Sequence, residues 1–255
     1  DAHRIFHVTG SRTTERIARV IAGRSVGVVM SGGGARAYAH IGAIKALRER
    51  HVPIDFLGGA SMGAVIAACV AMGWNDQEIE ARVRDGFVSS NPLGDHVLPV
   101  VALTRGQRVE ERLKRHFGDT LIEDLETPFF CTSSEMTKGV TRVHRRGLLR
   151  QALRASISLP GILPPVVEGG LLLVDGAVMN NFPADLMNGM HRGVTVGVDV
   201  AREGSISSEA FENPPGFLGW VRRNGIRSAP PIVSLLMRAA TARPESRPKE
   251  NPTDI

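Results

Sequence analysis

Five residues, Gly59-Ala60-Ser61-Met62-Gly63, stand between two apolar runs, and that arrangement narrows the folds open to this chain more than any other feature. Upstream, Val52-Pro53-Ile54-Asp55-Phe56-Leu57 reads as a short buried strand. Downstream, Ala64 to Met72 reads as a buried helix. A serine on so sharp a strand-to-helix turn is pushed out of the chain path with its hydroxyl exposed, and glycines flank it because side chains would clash there. The helix turns its free N–H groups and positive dipole end toward the serine. The pattern therefore reads as an acyl-transfer nucleophile. The chain holds 28 glycines, enough for Gly-x-Ser-x-Gly to arise by chance, so the surroundings must decide.

A second strand–glycine–helix unit lies upstream. Val26 to Met30 reads as a buried parallel strand. Ala35 to Arg50 reads as a helix with Ala39, Ala43, Ala46 and Leu47 near one face, and Gly32, Gly33 and Gly34 join the two. Backbone N–H groups in such a loop turn toward an anion at the helix N-terminus. The anion is either a phosphate or the oxyanion of a tetrahedral intermediate. Against phosphate, the loop lacks the Gly-Lys-Ser/Thr ending of a P-loop, Ala37 breaks Gly-x-Gly-x-x-Gly, and Asp55 precedes Phe56 and Leu57 instead of closing that strand for a ribose. For the oxyanion, adjacent parallel strands bring both turns to the C-terminal edge of one sheet. Each well-placed donor there is worth about 3–4 kcal/mol in the transition state. A plain tight turn packed on the sheet is the alternative.

The serine needs a base. In the α/β-hydrolase order, serine, then acid, then histidine, only His96, His116, His144 and His191 follow Ser61. His144 reads as part of an exposed hairpin strand and His191 as a helix end, where histidine serves a cap or a solvated surface. A Ser-His-Asp site resting on one of them is the rival arrangement. Asp175 is the better candidate. It ends the apolar run Leu171-Leu172-Leu173-Val174 and precedes Gly176-Ala177. A carboxylate at the end of a buried strand is costly unless it is hydrogen-bonded or used, although Asp-Gly also forms ordinary turns. Asn180, Asn181 and Pro183 then fit a polar loop before the next helix.

Together these blocks resemble the catalytic domain of patatin-like phospholipases, and within that family the neuropathy-target-esterase type. Gly32-Gly33-Gly34-Ala35-Arg36 resembles the oxyanion block, and Gly59 to Gly63 the nucleophile elbow. Ala155 to Pro165, with Pro160 at its centre, resembles a third block lining the site, and Asp175-Gly176-Ala177 matches the Asp-Gly-Ala/Gly block. Ala37 departs from the glycine that many patatins carry. The resemblance spans residues 25–200. It implies a three-layer αβα fold with a mostly parallel central sheet and helices on both faces. It also implies a Ser-Asp dyad: Ser61 attacks the ester carbonyl, Asp175 takes and returns the proton, and the Gly32, Gly33 and Gly34 loop holds the oxyanion, with the backbone N–H groups of Gly33 and Gly34 as donors. Gly59, Met62, Gly63, Gly176 and Ala177 are motif positions around the dyad. Arg36 steadies the loop, faces an anionic headgroup or is a solvated helix residue. No metal or other cofactor is implied. The substrates implied are acyl esters of lysophospholipids or phospholipids. Family members often carry cyclic-nucleotide-binding modules upstream. A protein that keeps the fold as a silent lipid-binding or regulatory module is a further alternative.

Composition bounds the rest. With 255 residues, 42% hydrophobic, the chain suits one α/β domain. Residues 1–24 read as a lead-in, 25–241 as the catalytic domain and 242–255 as a polar tail. Cys69 falls in the elbow helix and Cys131 in a strand, with no disulfide framework, which favours a reducing, cytoplasmic compartment. No apolar run nears the roughly 20 residues needed to cross a bilayer. The net charge of +5 comes with one Tyr and two Trp, too few aromatics for a nucleic-acid surface and consistent with peripheral contact with anionic lipid. Further elements read as helices near 14–22, 75–87, 104–117, 148–156 and 232–241, a hairpin over 129–146 turning at Lys138-Gly139, and a strand over 193–200. Residues 89–104 read as a lid. Phe217 to Arg223 reads as an interfacial patch or as a loop whose aromatics cover the core.

Overall fold

The computed structural model describes residues 11–88, 95 and 101–200. The lid expected over 89–104 (apart from Asp95 and residues 101–104), the patch at 217–223, the helix at 232–241, the tail and His96 lie outside them. In chain order the elements are α1 (Ser11–Ile21), β1 (Val26–Met30), a 3₁₀ turn (Gly34–Tyr38), α2 (Ala39–Glu49), β2 (Phe56–Ala60), α3 (Ser61–Ala71), α4 (Asp76–Val83), α5 (Gln107–Phe117), β3 (Phe129–Glu135), β4 (Val140–His144), α6 (Leu149–Ser156), β5 (Val166–Glu168), β6 (Leu171–Asp175), α7 (Ala177–Asn180), α8 (Ala184–Asn188) and β7 (Val194–Val198).

Strand alternation sets the layers. Val28 and Met30 of β1, Leu57 of β2, and Phe129 and Cys131 of β3 face one side, against buried residues of α2 to α6. Val29, Phe56 and Phe130 face the other, against Phe182, Ala184 and Met187 near α8 and Val20 of α1. A sheet buried on both faces needs helices on both, which is the three-layer α/β fold. Helix α3 is apolar all round, and Gly63 through Ala71 are buried, so it is the inner helix of the larger core. Cys69 and Cys131 are free and buried in that core, and burial pushes the Cys69 thiol up to about 12. Among the described residues, no helix is long and apolar enough to cross a membrane.

The sheet has seven strands in the order β5-β6-β3-β2-β1-β7, with β4 also beside β3. The pairs β3–β2, β2–β1 and β1–β7 are parallel, whereas β4, β6 and β5 join antiparallel. Strand β3 organises the site. β4 runs along one of its edges from Cys131 to Glu135. The opposite edge is divided: β2 takes the first half, with Ala60 beside Thr132, and β6 takes the second, with Asp175 beside Ser133. So β2 and β6 run toward each other and stop at adjacent residues of β3. Ser61 and Asp175 meet where they stop.

Several expected bounds move. The strand expected over 52–57 lies at Phe56–Ala60, because the glycines continue the strand instead of ending it. Gly58 is admitted there by the Phe130 ring, which a Cβ would meet at 2.1 Å. The helix expected from Ala64 starts at Ser61, so the turn is a single residue. Over 35–50 the chain first makes a 3₁₀ turn, and α2 buries His40 and Ile44 while Ala39 and Ala46 are exposed. Asn75 caps α4 in a capping box with Glu78, each side chain accepting the other's N–H at 2.9 Å. Residues 102–104 follow the turn after α6, with the Thr104 hydroxyl donating to the Ile162 carbonyl at 2.8 Å.

The lead-in helix is tied to the sheet by a buried carboxylate. Asp55, fully buried, accepts from Arg19 at 2.8–3.2 Å and from the Val26 N–H at 3.0 Å, with Arg16 Nε at 3.8 Å. Arg16 also donates to the Thr127 hydroxyl at 2.9 Å. Removing one partner of a buried pair costs about 3–5 kcal/mol because the other charge is left uncompensated. Arg19 is 29% exposed and keeps part of its hydration, so Asp55→Ala is expected to lower stability by less than that, about 1–3 kcal/mol, in denaturant unfolding. A loss below about 1 kcal/mol would show that α1 is only loosely held.

Candidate active site

Ser61 begins α3 directly after the extended Ala60 and has φ of +52°, in the left-handed region. A non-glycine residue costs about 1–2 kcal/mol there and persists only where the surroundings impose it. Gly63 shows what imposes it. A Cβ at Gly63 would lie 2.4 Å from the Ser31 carbonyl oxygen and 2.6 Å from that of Met30, so the start of α3 packs directly on the end of β1. Gly59 presses on the same carbonyl of Met30, and Met62 is half-buried against the larger core.

The Ser61 hydroxyl donates to Asp175 Oδ2 at 2.7 Å. The other carboxylate oxygen, Oδ1, accepts from the Ala177 N–H at 2.8 Å, which aims Oδ2 at the serine. Asp175 is 2% exposed, and burial raises its carboxyl from 3.8 to about 7 against the lowering effect of these two bonds. Below that pH it holds a proton; above it, a carboxylate faces Ser61. The third expected block ties both residues down. Ser156, fully buried, accepts the Ser61 N–H on its hydroxyl at 3.0 Å and the Gly176 N–H on its carbonyl at 3.1 Å. The Ser158 carbonyl accepts the Asp175 N–H at 2.9 Å. Pro160 lies half-buried in the following turn.

The glycine loop lies beside the serine. A Cβ at Gly32 would come 3.0 Å from the Ser61 Cβ. The three glycine amides are not equivalent. The Gly32 N–H donates to the Asn181 carbonyl at 3.1 Å and is not a free donor, which corrects its expected part in the anion-binding set. Among the described residues, the N–H groups of Gly33 and Gly34 meet no protein acceptor. Arg36 is exposed in the 3₁₀ turn behind them. Ser31, at the root of the loop, is fully buried. Its hydroxyl accepts the Val200 N–H at 2.9 Å, and its carbonyl lies 2.9 Å from Nε2 of His40. A carbonyl only accepts, so this nitrogen carries the proton; His40 is fully buried, and desolvation lowers its pKa.

The histidines named as rivals are elsewhere. His144 is buried, not exposed: its Nε2 pairs with the Ser133 hydroxyl at 2.7 Å on the β4 side of β3, and desolvation lowers it to about 4. It lines a separate cavity of about 290 Å³ with Arg154 and Glu168. His191 is buried, not at a solvated helix end. It stacks on Phe56 at 5.2 Å and pairs with Ser25 at 3.0 Å and Thr195 at 3.2 Å, near the start of β1 and away from Ser61. Among the described residues, no histidine bonds to Ser61 or Asp175, and no three His, Cys, Asp or Glu side chains gather so as to hold a metal ion. Ser156, Asn181 and His40 support the site without having been expected to; Ser156 lies in the third block, whereas Asn181 and His40 lie outside all four and carry no motif signal.

At the strand ends of a three-layer α/β fold, a serine hydroxyl is thus bonded to a buried carboxyl. The chain belongs to the patatin-like phospholipase family, whose model matches residues 28–187. It is 42% identical to an uncharacterised NTE family protein of Mycobacterium tuberculosis over 91% of this chain and 41% of that one. It is 36% identical to Lysophospholipase NTE1 of Candida glabrata over 72% and 11% of the respective chains. It is 34% identical to the human patatin-like phospholipase domain-containing protein 6 over 87% and 17%. The chain thus spans less than half of each of these relatives. Among solved structures it is similar to VipD from Legionella pneumophila, with a TM-score of 0.50 at 15% identity over 74% of this chain and 52% of that one, a likeness of fold.

Proposed function

We propose that the protein hydrolyses carboxylic acyl esters of lysophospholipids or phospholipids through an acyl-enzyme on Ser61, with Asp175 as general base. The observation that carries this reading is the 2.7 Å hydrogen bond from the Ser61 hydroxyl to Asp175 Oδ2 at the meeting point of β2 and β6. Ser61 Oγ bonds to the ester carbonyl carbon while its proton passes to Asp175. The carbonyl oxygen becomes an oxyanion and takes the N–H groups of Gly33 and Gly34. Collapse breaks the ester C–O bond, and the departing alkoxide takes the proton from Asp175. Water then attacks the acyl-enzyme, with Asp175 again receiving a proton, and Ser61 leaves with it. The bond from Ala177 to Oδ1 does the orienting that a third residue does in a triad.

The Candida glabrata relative is a lysophospholipase by name, which supports lysophospholipids as the first substrates to try. The net charge of +5 supports work at an anionic lipid surface, and two free, buried cysteines suit a reducing, cytoplasmic setting. The test measures fatty acid released from lysophosphatidylcholine and from diacyl phosphatidylcholine vesicles across pH 5 to 9, with fluorophosphonate labelling in parallel. Release from the lysolipid and labelling at Ser61 are expected. An ionised base is required, so kcat/KM should rise with a midpoint near 7 and fall to about one hundredth of its plateau at pH 5. A flat profile would remove Asp175 as the base. A folded protein that neither labels nor releases fatty acid would end the hydrolase reading.

A further inference from the structure

Six residues beyond Asp175, at the C-terminal end of α7, Asn181 grips the glycine loop at two points. Its backbone carbonyl accepts the Gly32 N–H at 3.1 Å, and its side-chain Nδ2 donates to the Gly32 carbonyl at 3.2 Å. The residue is 8% exposed, and its Oδ1 has no partner among the described residues. A Cβ at Gly32 would meet that Oδ1 at 2.5 Å, so only glycine leaves room for the carboxamide beside the loop.

The second bond matters because of peptide geometry. The carbonyl of Gly32 and the N–H of Gly33 belong to one planar trans unit and point in opposite directions. Whatever fixes the Gly32 carbonyl therefore fixes the Gly33 N–H. We propose that Asn181 is a positioning residue: by holding the Gly32 carbonyl through Nδ2 it aims the Gly33 N–H at the oxyanion formed on Ser61. This rests on the reading of Gly33 and Gly34 as oxyanion donors. Asn181 is joined to Asp175 through α7, so base and donor loop share one short piece of chain.

Asn181→Ala and the near-isosteric, uncharged Asn181→Leu remove Nδ2 and leave the backbone carbonyl in place. On p-nitrophenyl butyrate, each is expected to lose roughly a hundredfold in kcat, the scale of one oxyanion donor, with KM within about threefold. The Ki of an alkyl trifluoromethyl ketone, whose serine adduct carries the same oxyanion, should weaken in parallel. The pH midpoint of kcat/KM should not move, because Asn181 acts on the loop and not on Asp175. A merely structural residue would not give this split. The proposal is overturned if kcat stays within about threefold of native, if kcat falls while Ki holds, if the midpoint shifts, or if both variants are unfolded at the assay temperature. Failure of the underlying reading looks different: the native protein itself would resist both the ketone and a fluorophosphonate.

Discussion

Asp175→Asn is expected to abolish ester hydrolysis and, above pH 7, to make the folded protein harder to unfold. The first effect is loss of the base. An amide cannot take the Ser61 proton, and a positioned general base is worth about 10²–10⁴ in rate. The second follows from burial. The folded carboxyl stands at about 7 against an ordinary 3.8, so between those values the native state holds a proton that the unfolded chain has released. Stability contributed by this group is complete below about pH 4 and is lost as pH rises through 7. Three units at about 1.4 kcal/mol each set an upper bound of roughly 4 kcal/mol. The check is thermal unfolding of native and Asp175→Asn protein at pH 5 and pH 8. The variant's advantage should grow with pH. Equal differences at both values would show that Asp175 is not a buried, proton-holding carboxyl.

Ser61→Ala is the other large effect. It deletes the attacking oxygen, with an expected loss on the order of 10⁴-fold or more and no residual fluorophosphonate labelling. It keeps the left-handed backbone cost, since alanine is no freer than serine at φ of +52°. Ser61→Gly should be just as inactive but about 1 kcal/mol more stable than Ser61→Ala. Comparing their denaturant midpoints separates the chemical part of Ser61 from the strain it carries. An active Ser61→Ala would eliminate the nucleophile assignment altogether.

Much of this arrangement was legible in the order of residues because it rests on local rules. An apolar run closed by Asp-Gly, three glycines between a strand and a helix, and a serine between glycines each announce a turn type or a helix start. Sequential order places the glycine loop and the serine on the neighbouring strands β1 and β2; that β6 comes to the same place, across β3, is a matter of tertiary pairing. What could not be read depends on tertiary pairing. The elbow strand runs through Gly58 and Gly59 because Phe130, on another strand, fills the space above Gly58. His144 and His191 are buried by neighbours distant in sequence, so a surface reading from their immediate surroundings fails. Asp55 does not close its strand as a ribose partner would, yet it receives Arg19 from α1, a contact that no neighbouring residue announces. Asn181 looked like loop filler; its bond to Gly32 spans 149 positions of chain.

The head-on meeting of β2 and β6 on one edge of β3 also bears on the order of events in folding. Ser61 and Asp175 are 114 positions apart, and the strand that brings them together lies between them in the chain. Contacts of that separation form late, after loop-closure entropy has been overcome. A chain emerging from the ribosome can complete its β1–β2 pairing and the elbow helix, but it has no Asp175 opposite Ser61 until β6 has been synthesised and docked. Any hydrolytic power of Ser61 is thus withheld from nascent and half-folded molecules, and recovery of activity on refolding should trail recovery of helix signal.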